Sequence, residues 1–227
     1  MMEVRNLCAG YGPVQVLWDV SVTVPAGEVV CLVGRNGVGK STLLNAVAGF
    51  ADVKSGALLH ANELIANIGT AELARRCIGF VPQQREICPD LTVEENLLVP
   101  VYALGLDIGK LTLIFDRFSR LKERRSQVAG SLSGGERKLL AFARIMLFSP
   151  TTYLIDEPTE GLMPAAVTEI TSLISNFRKE GAAVLLVEQN LKVIEAIADR
   201  ICLMNSGRIE LTLDKFDENQ IIKYLGV

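Results

Sequence analysis

Apolar and polar residues follow two different periods along the chain. Alternation over Val14–Val24 and the apolar run Val29–Val33 predict strands, and a helical pattern starts at Lys40 and runs to about Phe50. Four further short apolar runs predict buried strands, namely Ile78–Val81, Tyr153–Ile155, Val184–Val187 and Ile201–Met204. Helical patterns separate the last three runs. This alternation predicts an α/β fold, with helices covering the faces of a mostly parallel sheet.

The segment 84–132 breaks this alternation because its patterns are helical only. Val93–Leu104 and Lys110–Arg125 predict helices, and no strand candidate lies between them. We therefore expect an α/β core built from residues 1–83 and 133–227, with residues 84–132 inserted as a helical subdomain. A short closing helix is predicted within Asp214–Val227.

Composition narrows the classes of function. Of 227 residues, 49% are hydrophobic and 22% charged, which is typical of a folded globular chain. The net charge of −3 provides no general field for nucleic acid, so no nucleic-acid partner is expected. The apolar runs are shorter than a membrane span and the N-terminus lacks a secretory pattern, so we expect a cytoplasmic location. The five cysteines form no CxxC pair, which argues against a disulfide framework or zinc site.

The string GRNGVGKS, from Gly34 to Ser41, matches the phosphate-binding loop pattern GxxxxGK[ST]. It follows a predicted strand and precedes a predicted helix, so backbone N–H groups and the helix N-terminus would converge on phosphate oxygens. Lys40 would reach the outer phosphates and Ser41 would hold Mg²⁺. A chance glycine turn is the alternative. The predicted nucleotide-binding residues here are Gly34, Asn36, Gly37, Gly39, Lys40, Ser41 and Thr42.

Two carboxylates, Asp156 and Glu157, follow the predicted strand Tyr153–Ile155. Open α/β sheets bind ligands at the carboxyl ends of their strands, so these side chains should meet the phosphates. Asp156 would orient the Mg²⁺ shell, and Glu157 would polarise the attacking water as a general base. Taken alone, an acidic pair at a strand end also fits a solvated turn.

The string LSGGE, from Leu132 to Glu136, opens a helix predicted to run to about Phe148. Ser133 and Glu136 satisfy the capping-box pattern, so an ordinary helix start would by itself explain the string. Two glycines nevertheless weaken the first turn by about 1 kcal/mol each relative to alanine. We favour an anion-binding helix start, because glycines allow close approach to the backbone.

The phosphate loop, Gln83, LSGGE and the segment YLIDEPTEGL occur in the order found in the ATP-binding subunits of ABC transporters, and the chain resembles that family over nearly its whole length. The segments GRNGVGKST, REICPDLTVEENLL, DEPTEGLMP and LLVEQN look most like the subunits that serve branched-chain amino-acid, urea and amide importers. The resemblance implies an ABC-type P-loop ATPase that uses ATP and Mg²⁺. It also implies an N-terminal antiparallel β part beside the mostly parallel sheet.

The resemblance assigns further residues. Tyr11 would stack on adenine, although a turn tyrosine is the alternative. Gln83 would contact Mg²⁺ or the lytic water, although it also fits an ordinary polar loop. Ser133, Gly134 and Gly135 would bind the γ-phosphate of ATP held by the opposite subunit, so two chains would face head to tail.

The implied partners are a second ABC ATPase subunit, identical or related, and integral membrane permease subunits. The region Arg85–Leu98 would contact the permease, which holds the chain at the cytoplasmic face of the membrane. A periplasmic or extracellular solute-binding protein would take part indirectly. A soluble ABC ATPase of DNA repair or translation is the alternative function, and an unrelated P-loop kinase or GTPase is a third reading.

Three positions depart from the general family pattern. Gln189 replaces the usual histidine near the γ-phosphate, and as a neutral amide it predicts slower turnover while remaining a catalytic candidate. Met163 stands where an aspartate is common, and Glu136 where a glutamine is common. His60, the only histidine, is expected on a strand at the surface or half-buried.

Overall fold

The computed structural model describes residues 1–84 and 86–225. Its ten strands in chain order are β1 (Met2–Tyr11), β2 (Val14–Val24), β3 (Val29–Val33), β4 (Asp52–His60), β5 (Glu63–Leu64), β6 (Ile78–Val81), β7 (Thr152–Asp156), β8 (Ala183–Val187), β9 (Arg200–Asn205) and β10 (Arg208–Leu213). Its α-helices are α1 (Lys40–Val47), α2 (Thr70–Arg75), α3 (Val93–Leu104), α4 (Lys110–Arg117), α5 (Ser119–Glu123), α6 (Gly134–Met146), α7 (Pro164–Lys179), α8 (Leu191–Ile197) and α9 (Glu218–Leu225). A 3₁₀ turn at Ala129–Ser131 precedes α6.

The strands form two sheets. The larger has the order β10-β9-β3-β8-β7-β6, and its strands pair in parallel except for the antiparallel edge strand β10. The smaller has the order β2-β1-β4-β5, and its pairs are antiparallel. The predicted α/β fold with an N-terminal antiparallel part is confirmed. The P-loop and the Asp156–Glu157 pair both lie at carboxyl ends of strands in the larger sheet.

The larger sheet is buried on both faces. Along β3, Val29, Cys31 and Val33 pack into one core cluster, whereas Val30 and Leu32 pack into the other. The first cluster contains residues of helices α3 to α9, and the second contains α1 and the smaller sheet. Because successive residues of a strand point to opposite faces, a continuous apolar run is needed to fill both cores.

Helix ends differ from the sequence predictions at several points. Helix α1 ends at Val47 instead of Phe50, because Gly49 adopts a left-handed φ of 79° that ends the helix. The segment predicted as one helix over Lys110–Arg125 is two helices, since Phe118 leaves the helical region between α4 and α5, with a φ of −121° and a ψ of 76°. Helix α6 ends at Met146 instead of Phe148. The closing helix predicted within Asp214–Val227 begins at Glu218, and residues 226–227 lie outside the described residues.

His60 ends strand β4, but it is only 9% exposed, so the surface or half-buried expectation was wrong; strand β4 packs it near Thr151. Cys31 is fully buried and Cys88 is partly buried. Across the described parts of the chain, no helix is both long and apolar enough for a membrane span.

Candidate functional site

The phosphate-loop string forms a tight turn between β3 and α1. Gly39 is the N-cap of α1 and has a φ of 108°, which side chains with a Cβ rarely adopt. A Cβ on Gly34 would lie 2.5 Å from the carbonyl oxygen of Met204, so only glycine fits there. These constraints bring the loop backbone to the start of α1, where the helix dipole favours an anion.

A cavity of about 250 Å³ lies on this loop. It is smaller than the roughly 300–1,000 Å³ of a typical small-molecule site, and therefore suits a phosphate chain better than a whole nucleotide. The structure brings together eight residues in its lining, namely Asn36, Gly37, Gly39, Lys40, Ser41, Thr42, Gln83 and Glu157. All eight were predicted as site residues from the sequence.

Lys40 is 4% exposed and lies at the floor of the loop. Its Nζ donates to the carbonyl oxygens of Gly34 at 2.8 Å and Arg35 at 3.0 Å, and it lies 3.8 Å from Glu157 Oε1. Burial lowers the pKa of Lys40, while the charges of Glu157 and Asp156 raise it. The ammonium is therefore held by two carbonyl oxygens of the loop beside the Glu157 and Asp156 carboxylates, where it could reach an outer phosphate.

Glu157 is at the centre of a side-chain network. Its φ of 43° is strained for a residue with a side chain, as is common at functional sites. The amide of Gln83 donates to its Oε2 at 3.1 Å, and the amide of Gln189 donates to its Oε1 at 2.5 Å. Gln189 also donates to Asn36 Oδ1 at 2.9 Å. Both predicted glutamines therefore contact the carboxylate that is the candidate general base.

Glu160 also belongs to this network, and the sequence reasoning missed it. Its Oε2 accepts a 2.7 Å hydrogen bond from the same Gln83 amide. The turn that follows β7 brings Glu160 back toward Glu157, whose carbonyl oxygen accepts from the Glu160 backbone N–H. A third carboxylate three residues after Glu157 was the available signal. Gln83 is consequently held between two acidic side chains.

Asp156 ends β7 and is 4% exposed. Burial raises its pKa to about 6, although a hydrogen bond from Ser41 and the charges of Lys40 and Lys138 lower it. Its Oδ1 is buried and makes no hydrogen bond to the described residues. A hard divalent cation prefers carboxylate and hydroxyl oxygens. The buried Oδ1 and the nearby Ser41 hydroxyl therefore fit a Mg²⁺ ion.

The predicted capping box at the start of α6 is present. The backbone N–H and hydroxyl of Ser133 donate to Glu136 Oε2 at 2.9 and 2.8 Å, and the Glu136 N–H donates to the Ser133 hydroxyl. Arg124 Nε lies 3.0 Å from Glu136 Oε1. Burial raises the pKa of Glu136, but the Ser133 hydrogen bonds and Arg124 outweigh this and lower it.

The glycines of this helix start have a neighbour within the chain. A Cβ on Gly135 would lie 2.8 Å from the Ala166 Cβ of α7, and one on Gly134 would lie 3.3 Å from the Leu162 side chain. Internal packing thus accounts for glycine at Gly135. Ser133 is exposed, and none of Ser133, Gly134 and Gly135 lines the phosphate-loop cavity. The structure therefore does not bring these three residues together with the phosphate loop of the same chain.

Two other predicted residues, Tyr11 and Met163, lie outside the lining of the phosphate-loop cavity. Tyr11 ends β1, is 43% exposed, and its hydroxyl accepts a 2.9 Å hydrogen bond from Asn45 of α1. Tyr11 lies outside the cavity lining, on the side of α1. Met163, the N-cap of α7, is 76% exposed. Both side chains are available for contact with a ligand or a partner.

The phosphate loop, the buried Asp156 and the strained Glu157 on a mostly parallel sheet define a P-loop nucleotide-binding protein. A family model for the ABC transporter matches residues 17–160. The chain therefore belongs to the ABC transporter ATP-binding family, and it is an ATPase of that family.

Similar proteins include two branched-chain amino-acid transport ATP-binding proteins. BraG of Pseudomonas aeruginosa is 38% identical over 92% of this chain and 91% of its own length. LivF of Archaeoglobus fulgidus, described as probable, is 34% identical over 92% of this chain and 90% of its own. LptB of Escherichia coli K12, a lipopolysaccharide export ATP-binding protein, is 31% identical over 92% and 88%.

Solved structures are similar over the whole chain. A nucleotide-free ATP-binding cassette from an ABC transporter has a TM-score of 0.85 and 27% identity, covering 100% of this chain and 95% of the other. A cassette in its ADP conformation has a TM-score of 0.84 and 27% identity, covering 100% and 94%. Proteins of this family bind ATP or ADP. The predicted family, fold class and ATPase activity are confirmed.

Proposed function

We propose that this chain is the ATP-hydrolysing subunit of an ABC importer for branched-chain amino acids or a related small polar solute. The observation that carries the proposal is the network in which Lys40, Gln83 and Gln189 all contact Glu157 beside the phosphate loop. The similarity to BraG and LivF supports the solute class. The similarity to LptB makes an exporter subunit the competing assignment.

The residues of the site would have different roles in ATP hydrolysis. Gly34, Asn36, Gly37, Gly39 and Thr42 belong to the loop that would hold the phosphates, and Tyr11 would stack on adenine. Ser41, Gln83 and Asp156 would hold Mg²⁺, which would neutralise charge on the phosphates.

Glu157 would act as the general base in the hydrolysis step. Its carboxylate would accept a proton from the water that attacks the γ-phosphate, while ADP leaves with the electrons of the broken P–O bond. The Gln83 and Gln189 amides, which contact the two Glu157 oxygens, would orient that water. Gln189 cannot carry a positive charge, so it would stabilise the phosphate less than a histidine would.

Ser133, Gly134 and Gly135 would complete the site of a second chain. Ser133 is exposed at the N-terminus of a 13-residue helix, where backbone N–H groups and the helix dipole favour a phosphate. Met163 is also exposed and would contact the facing subunit without the charge of the usual aspartate. Two chains would then share each ATP in a head-to-tail dimer.

The membrane partner would dock away from the nucleotide. A groove of about 720 Å³ runs between the ends of α1 and α2, strand β6 and helices α3 and α6. Its lining includes Phe50, Phe80, Pro100 and Phe148. We assign it to a cytoplasmic helix of the permease, which would hold the chain at the cytoplasmic face of the membrane. Of the predicted contact region Arg85–Leu98, Arg85 lies outside the described residues.

In the proposed function, residues 84–132 form a helical subdomain that moves with the permease. Residues 1–83 and 133–227 form the ATP-binding core. A solute-binding protein would act through the permease only, and nucleic acid would have no part. A soluble ABC ATPase of DNA repair or translation is the alternative; the similarity to named transport proteins favours the transport role.

The test is the variant E157Q, which should bind ATP without cleaving it and so accumulate the ATP-bound dimer. Size-exclusion chromatography with ATP and Mg²⁺ should show a dimer for E157Q and a monomer for E157Q without nucleotide. The matched control K40A should neither dimerise nor hydrolyse ATP, because it lacks the ammonium that reaches the outer phosphates. A monomeric E157Q with ATP, both alone and with a related second subunit, would refute the shared site.

A further inference from the structure

Lys138 is a buried cation that the mechanism above leaves without a role. It lies on α6 and is 5% exposed. Burying an ammonium is costly unless it is paired, so its partners indicate what the charge does. Burial lowers the pKa of Lys138, whereas the carboxylates of Glu86, Asp156 and Glu160 raise it.

The contacts of Lys138 lie on the segment that carries Gln83. Its Nζ donates to the carbonyl oxygens of Pro82 at 3.5 Å and Gln83 at 3.4 Å, and it lies 3.7 Å from Glu86 Oε1. The ammonium therefore contacts the Gln83 segment from both sides of the glutamine. It holds the main chain of this segment against α6.

A second cation of α6 binds the same segment. Arg144 Nη1 donates to the carbonyl oxygen of Glu86 at 2.7 Å, and Arg144 also lines the groove assigned to the permease. Two cations of a single helix thus contact the backbone on either side of position 85. Pro82, Gln83 and Glu86 are consequently attached to α6 by polar contacts.

Helix α6 joins two parts of the proposed dimer. Ser133 at its start would contact the ATP of the facing subunit, and Lys138 lies five residues further on, about 7.5 Å along the axis. Beyond Lys138, the Gln83 side chain contacts Glu157 of the same chain at 3.1 Å. One contiguous set of contacts therefore leads from Ser133 through α6 and Lys138 to Gln83 and Glu157.

We propose that Lys138 is the positioning residue that fixes the Gln83 segment to α6, so that Gln83 moves with the helix start that carries Ser133. This inference rests on the proposed function, because α6 would move only if Ser133 binds the ATP of a second subunit. Capture of the neighbouring subunit's ATP would shift α6, and Lys138 would carry Gln83 with it. Hydrolysis at one site would then depend on closure at the other.

The test compares K138M with K138R in steady-state ATP hydrolysis. Methionine keeps a long unbranched side chain without the charge, whereas arginine keeps a cation that can donate to the same carbonyl groups. We expect kcat of K138M to fall about tenfold because Gln83 is misplaced, with KM changed less than about twofold because the phosphate loop is intact. K138R should recover most of the lost kcat.

The matched control is K179M, the same substitution on the exposed end of α7. Equal kcat values for K138M and K179M would overturn the proposal, and so would a K138M defect that K138R does not restore. Should K138M fail to fold, as judged by its thermal unfolding, K138Q decides: its shorter, neutral amide has neither the reach of lysine to the two carbonyl groups nor the charge that pairs with Glu86, so a kcat equal to that of K179M would overturn the proposal. A wild-type chain without ATP hydrolysis would instead contradict the proposed function.

Discussion

Asp156, which we propose as a Mg²⁺ ligand, illustrates how a buried carboxylate reduces stability. Burial raises its pKa to about 6 even though Ser41, Lys40 and Lys138 lie close enough to lower it. For an acid, a raised pKa in the folded state means that ionisation favours unfolding. The cost is absent below the pKa of the unfolded chain, grows as the pH rises from about 4 to 6, and is complete above that range.

We therefore predict that D156N is more stable than the wild type at neutral pH in the absence of Mg²⁺. The gain should be on the order of 1–2 kcal/mol at about pH 7.5 and should shrink as the pH falls toward 4. Urea unfolding at several pH values measures it. D90N, which changes an exposed aspartate in the same way, is the control and should show no such gain. A D156N variant less stable than the wild type at neutral pH would contradict the argument.

At the residue scale, the sequence predicted those groups that themselves belong to a recognisable motif. Lys40 and the glycines belong to the phosphate-loop pattern, and Asp156 and Glu157 stand directly after a buried apolar strand. Glu160 and Lys138 were not predicted because their contacts to Gln83 join positions 77 and 55 residues apart. No periodicity or motif encodes such a contact, so only the folded chain reveals it.

At the scale of elements, the close packing of α6 against α7 leaves no room for a side chain at Gly135. A Cβ at Gly135 would lie 2.8 Å from Ala166 Cβ, a distance that real side chains do not adopt, whereas one at Gly134 would meet a movable leucine side chain at 3.3 Å. The two glycines of the same turn should therefore respond differently to alanine. A side chain at Gly135 would disturb the packing of two helices, whereas one at Gly134 would need only a small movement of Leu162.

We predict that G135A destabilises the chain by about 1–3 kcal/mol, because α6 and α7 must move apart. Thermal unfolding measures the loss, and the double variant G135A/A166G should recover part of it by removing the opposing methyl group. G134A is the control and should lose less stability than G135A. Equal losses for the two single variants would show that the packing of α7 is not the reason for Gly135.

The elements themselves were predictable where a pattern was long or a motif fixed it. The inner strands of the larger sheet contribute side chains to both cores, so both of their faces must be apolar. Continuous apolar runs therefore predicted β3, β6, β7, β8 and β9. Strand β4 was predicted only at its end, through His60, because its residues near Ser55 and Gly56 are exposed and carry little hydrophobic pattern. The break at Phe118 was also missed, since the apolar spacing of α4 and α5 continues across it while the backbone turns.

At the scale of the whole molecule, the two proposed contact surfaces lie on different parts of the chain. The exposed Ser133 and Met163 belong to the surface that would face a second subunit, and the groove beside Phe50 and Phe80 to the one that would face the permease. Helix α6 contributes to both through Ser133 and Arg144. Sequence reasoning reached Ser133, Met163 and the region 85–98 only through family resemblance, and it did not predict the groove, because partner binding leaves no periodic pattern. Of the region 86–98, Glu86 alone lines the groove.

The groove is the surface where we expect the permease to bind in the assembled transporter. Phe50 is 57% exposed and lines the groove, so a charge there should oppose the burial of an apolar permease helix. We expect F50E to reduce co-purification with co-expressed permease subunits by about tenfold or more. ATP hydrolysis by the isolated chain should stay unchanged, because Phe50 lies outside the phosphate-loop cavity.

V14E provides the matched control, since Val14 is 61% exposed at the start of β2 and lies outside the groove lining. Both variants add one negative charge to an exposed apolar position, so a difference between them reports the location and not the charge. If F50E and V14E co-purify equally well with the permease subunits, the groove is not the docking surface. Loss of ATP hydrolysis in F50E alone would instead mean that the groove and the nucleotide site are structurally coupled without any partner.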